Sequence, residues 1–161
     1  MKYRVAAFAA LVGVAFMCGS ASAQSEEKVN NIQDVFTDFE AICFNYGAHG
    51  YSVEVAYMIE NSGFKFVQHT RDGADIFNSN VVQLVIGEKA CAFGMPRLPF
   101  GQMLEWTKQW IQDKGLTYTN TTKSGSGGEY WVWNGNGFFV GLEDDRFPDG
   151  TPLTGLIVTR K

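Results

Sequence analysis

Histidine is almost missing from this sequence and cysteine is scarce: 161 residues hold two of the former and three of the latter. His49 and His69 stand on separate segments, and neither has further Cys, Asp or Glu ligands at zinc-site spacing. Neither a metal nor a cofactor is therefore expected. Basic residues are outnumbered, with 13 Lys and Arg against 17 Asp and Glu. A chain without a basic face has little to neutralise phosphates with, which argues against nucleic acid as a partner. Long apolar runs are missing as well. The one from Val5 to Met17 is too short to span a bilayer, so no stable membrane anchor is expected. Also absent are a nucleophile elbow and the Asp-x-Asp-x-Asp-Gly spacing of a calcium loop, despite the acidic run Glu143, Asp144, Asp145 and Asp149.

The first segment that is clearly present is a leader. Lys2 and Arg4 form a basic head, Val5 to Met17 is apolar, and Ala21, Ser22 and Ala23 are the small residues of a signal-peptidase site. Met1–Ala23 reads as a signal peptide cleaved near Ala23, and 24–161 as a single exported domain, periplasmic or secreted, of a bacterial type. With Lys2 and Arg4 gone, 11 basic residues face 17 acidic ones. Two cysteines remain, Cys43 and Cys91, and in an oxidising compartment they are expected to pair. The alternative, a catalytic thiolate, calls for a basic neighbour and an exposed helix start, which neither position has.

Patterning along the mature chain changes twice. Val29, Ile32, Phe36, Phe39, Cys43 and Tyr46 recur in steps of three and four, predicting a helix with Cys43 on its buried stripe. After Gly47–Gly50, Ser52 is placed to cap a second helix that ends near Asn61. The period then shortens to two: Phe64 to His69 reads as a strand, Val81 to Ile86 as a buried central strand, and Lys89 to Gly94 as its hairpin partner carrying Cys91. Pro96 and Pro99 predict a rigid connector before a third helix over Phe100–Lys114, with Lys108 and Lys114 turned to solvent. Leu116 to Thr119 reads as a short strand, Asn120 to Gly128 as a mobile loop, and Glu129–Trp133 and Phe138–Leu142 as a hairpin about Asn134–Gly137. An acidic loop over Glu143–Pro152 and a last strand over Leu153–Thr159 complete the chain. The expected fold is α+β, a largely antiparallel sheet with about three helices packed on one face and one disulfide.

Two features carry candidate binding residues. Trp131 and Trp133 share one face of a strand while Tyr130 takes the other. The tryptophan pair is either core, leaving Tyr130 exposed, or a platform for a sugar or protein, with core the favoured assignment. Beside them, Ser126, Gly127, Gly128, Glu129 and Tyr130 fit Ser-Gly-x-x-Tyr. The stretch Lys123 to Leu142 resembles the loop and hairpin of small bacterial envelope inhibitors of C-type lysozyme. That resemblance implies a loop that enters the lysozyme cleft, with Ser126 as the inserted contact and Tyr130 fixing the loop. It also implies lysozyme as partner. Those inhibitors are short β-barrels, whereas this chain commits much of its length to helices.

The functional expectation is a non-enzymatic exported binding or envelope-accessory protein with a protein partner in the envelope or outside the cell. A lysozyme inhibitor is the sharper version. The rival from another class is a cell-wall or extracellular hydrolase assembled from His49 or His69 and scattered carboxylates.

Overall fold

The computed structural model describes residues 32–96 and 98–161. The signal-peptide reading, the start of the first helix at Val29, and Arg97 lie outside them. The first helix is continuous through three segments, α-helical over Ile32–Phe39, π-helical over Glu40–Phe44 and α-helical again over Asn45–His49. Its stripe is the one the spacing marks, with Phe39, Ile42, Cys43 and Tyr46 almost completely buried. The second helix, Val53–Asn61, begins at Ser52, whose hydroxyl accepts from the Val55 N–H at 3.3 Å. Capping of this kind satisfies one of the orphan donors at a helix start. The third helix spans Phe100–Asp113.

Eight strands form one antiparallel sheet: β1 Lys65–His69, β2 Asp75–Asn78, β3 Gln83–Ile86, β4 Ala90–Pro96, β5 Thr117–Lys123, β6 Glu129–Asn134, β7 Phe138–Arg146 and β8 Pro152–Arg160. Their order is β1-β2-β3-β4-β8-β7-β6-β5. A helical segment followed by a four-stranded meander therefore occurs twice, and the two meanders join along β4 and β8. No sequence repeat accompanies this architecture. Both outer strands carry a bulge, at Val67 in β1 and at Thr119 in β5. Bulges on edge strands interrupt the row of free backbone groups that would otherwise template pairing with another chain.

The main core lies between the helices and one face of the sheet, where Phe39, Ile42 and Cys43 meet Leu84, Phe93, Met95, Val140, Leu156 and Val158. Cys43 is joined to Cys91 across a Cα–Cα distance of 5.2 Å, which pins the first helix to β4 near the middle of the sheet. Gly47 on that helix rests against Val158 and Phe138, with no room for a side chain between them. The third helix is held to the first by Trp110, whose ring lies 5.9, 5.8 and 5.3 Å from those of Phe36, Phe39 and Phe44. The Trp110 indole N–H also donates to Glu40 at 3.2 Å, and Lys114 pairs with the same carboxylate.

Several boundaries differ from the sequence reading. Asn120 to Lys123 belong to β5 and not to a mobile loop; their threonines are β-branched and pair across to β6 from Asn120↔Val132 to Lys123↔Glu129. Glu143 to Arg146 continue β7 and are not an acidic loop, because the partner strand β8 runs alongside them to Pro152. Pro96 ends β4 opposite Leu153, at the terminal position where a missing N–H is tolerated.

Candidate functional site

The β5–β6 hairpin and the third helix hold the candidate binding residues. Trp133 is core, 3% exposed, and Trp131 is half-buried beside it, the rings near-parallel with centroids 6.1 Å apart. Tyr130 lies on the opposite face, packed against the cluster of Ala92, Leu153 and Ile157. It is half-buried and not exposed: its ring lies across Gly141 of β7, where a Cβ would collide with it. The absence of a side chain at Gly141 is what lets an aromatic lie flat there. The sheet thus separates Tyr130 from the tryptophans.

Ser126 and Gly127 sit exposed at the end of the β5–β6 hairpin. This end is folded back on β7. Ser124 Oγ donates to the Asp144 carbonyl at 2.8 Å and contacts Ser126 Oγ at 3.0 Å, while Gly128 lies directly against the same carbonyl. Below the tip, Glu143 pairs across strands with Tyr130. Burial, then the charge of Asp145, pushes the Glu143 carboxyl up to about 7, against the pull of the Gly125 N–H. Burial and the Glu143 charge raise the Tyr130 phenol to about 12. Ser126 and Tyr130 thus both lie against β7, the serine hydroxyl 3.5 Å from the Asp144 carbonyl and the tyrosine ring over Gly141.

On the helix side, a groove of about 260 Å³ runs between the third helix and the outer strands, lined by Lys108, Ile111, Gln112, Leu116, Tyr118, Trp131 and Trp133. Lys108 and Ile111 are three apart and Lys108 and Gln112 four apart, so one wall is a single helix face. Tyr118 enters from β5 opposite Trp133, 5.7 Å from the Trp131 ring, with its hydroxyl 2.9 Å from Thr121 Oγ1. Lys108 does not simply face solvent: its ammonium lies 4.9 Å from the Trp131 ring centre and 3.1 Å from Glu105. The Trp131 indole N–H donates to Glu129 at 2.8 Å. Tyr118, Lys108 and Gln112 were not legible as site residues. Tyr118 lies in a segment whose local pattern predicts only the first part of β5, and the lysine's contact is made with a strand distant in sequence.

The remaining candidates lie elsewhere. His69 pairs with Asp75 on the β1–β2 edge, its side chain 74% exposed. His49 ends the first helix. Among the described residues no group of three or more His, Cys, Asp or Glu is arranged to hold a metal ion. No described helix is long and apolar enough to cross a membrane. No protein-family model, curated protein or solved structure matches the chain.

Proposed function

We propose that the chain is a non-enzymatic binding or accessory protein of an exported type, and that its site is the groove between the third helix and the β5–β6 hairpin. The observation that carries this reading is the grouping of Tyr118, Trp131 and Trp133 with Lys108 and Gln112 in one concave surface. Aromatic rings with a few polar groups around them are the usual lining of a recognition site. The Cys43–Cys91 bridge fits an oxidising compartment. The test is capture. Protein spanning 24–161, immobilised with its disulfide intact, is exposed to an envelope extract supplemented with C-type lysozyme, beside a Tyr118→Ala form. Retention of a partner that the variant loses supports the groove; retention unchanged by the variant removes it.

The hairpin tip supports a second reading, inhibition of a C-type lysozyme, because Ser126 and Gly127 stand exposed at the end of a hairpin braced by Ser124 and Gly128. On this reading lysozyme is retained and the retention falls in Ser126→Ala combined with Tyr130→Phe, a pair chosen to keep the ring over Gly141.

A further inference from the structure

Lys108 and Gln112 also line a second depression, of about 400 Å³, whose wall is the third helix alone, with Glu105, Trp106 and Gln109 completing it. Its charges cancel, since Lys108 is paired with Glu105. The pair leaves the depression with no net charge to attract an ionic ligand, although, being exposed, it does little to repel one. What remains is neutral hydrogen-bonding capacity: Gln109 and Gln112 each offer two donors and an accepting oxygen, and the Thr121 hydroxyl flanks Tyr118. Interleaved with these groups are partly exposed aromatic surfaces, Tyr118 at 51% and Trp106 at 39%, besides half-buried Trp131.

We propose that this path binds an uncharged oligosaccharide, an assignment that rests on the groove being the protein's site and names the chemistry of what enters it. A sugar ring presents C–H faces to aromatic side chains and a rim of hydroxyls to amides, and this surface alternates the two. Two depressions sharing Lys108 and Gln112 accommodate a chain of several sugars better than a single one. An extended polypeptide is the poorer fit. Laid along β5 it would need an unbroken row of edge N–H and C=O groups, and the bulge at Thr119 interrupts that row. A ligand packing on the Trp131 ring changes the surroundings of an indole that already lies 4.9 Å from the Lys108 ammonium, so indole fluorescence reports occupancy.

The experiment titrates disulfide-bonded protein with hexamers of N-acetylglucosamine, cellulose-type and starch-type sugars, with a polyuronate hexamer for comparison, read by tryptophan fluorescence and calorimetry. Tyr118→Ala and Gln112→Ala, both at exposed positions, are titrated in parallel after thermal melts confirm folding. The expected result is saturable binding of at least one neutral hexamer, weakened about tenfold or more in each variant. No saturable signal at millimolar sugar, binding unaltered in both variants, or preference for the polyuronate would each overturn the proposal. The capture assay separates the two readings. A protein partner lost with Tyr118→Ala, alongside no sugar binding, overturns the saccharide and leaves the groove as the site; if neither ligand depends on Tyr118, both readings fall.

Discussion

Thr107 and Glu143 are the residues whose surroundings make the sharpest demands. Thr107 is completely buried on the inner side of the third helix, and its hydroxyl has no hydrogen-bond partner among the described residues. Thr107→Val keeps the shape and removes the stranded hydroxyl, so it should raise stability by about 1 kcal/mol, measured by urea unfolding. Glu143 works in the other direction. A carboxyl whose pKa rises on folding holds its proton more tightly in the folded state, so its contribution is present below the ordinary value of 4.5 and is lost as pH climbs towards about 7. Because Glu143 keeps solvent contact, the loss is of the order of 1 kcal/mol. Unfolding curves across that interval should show the decline in the parent and a flatter profile in Glu143→Gln. Equal slopes would assign the titration to another group.

Among the elements, the first helix depends on covalent and aromatic attachments together. Replacing Cys43 and Cys91 with alanine should lower stability by at most about 4 kcal/mol, the loop-entropy figure for a bridge closing 48 residues. Trp110→Ala removes three ring contacts and the bond to Glu40, and should cost about 3 kcal/mol by thermal unfolding. Elements of this kind were legible in the sequence where one periodicity ran unbroken. The stripe through Phe39, Cys43 and Tyr46, the Ser52 cap and the Asn134–Gly137 turn are all where local rules put them. Polar strands were not. β5 consists of Thr, Tyr, Asn and Lys, all exposed, and β7 ends in Glu, Asp, Asp and Arg. Their strand character comes from hydrogen bonds to β6 and β8, which no local window of composition contains. The groove was illegible for the same reason, since it exists only once the third helix and the β5–β6 hairpin lie side by side.

At the scale of the molecule, the bridge and the helix clusters lie unevenly over the two meanders. Cys43 and Cys91 both belong to the half that ends with β4, and β5 to β8 have no cross-link of their own. Reduction should accordingly loosen amides of the first helix and β4 more than those of β5 and β6, in hydrogen exchange compared with and without reductant. Equal acceleration everywhere would mean the two meanders open as one unit. The groove beside β5 and β6, lying wholly in the unbridged half, should keep its Trp131–Trp133 stacking under mild reduction, read as an unchanged tryptophan band in near-ultraviolet circular dichroism.

The central pairing of β4 with β8 has a consequence for the order of synthesis. A chain emerging from its N terminus has β4 in hand well before the final strand exists. Where the emerging segment enters an oxidising compartment, the Cys43–Cys91 bridge can close in that interval and hold the first half in shape. Until β8 arrives, however, β4 is itself an outer strand, seven residues long, rich in apolar side chains and without the bulge that guards β1 and β5. A strand at the centre of the finished molecule is thus an adhesive edge during manufacture, and truncations that stop before Pro152 should aggregate even though their disulfide is intact.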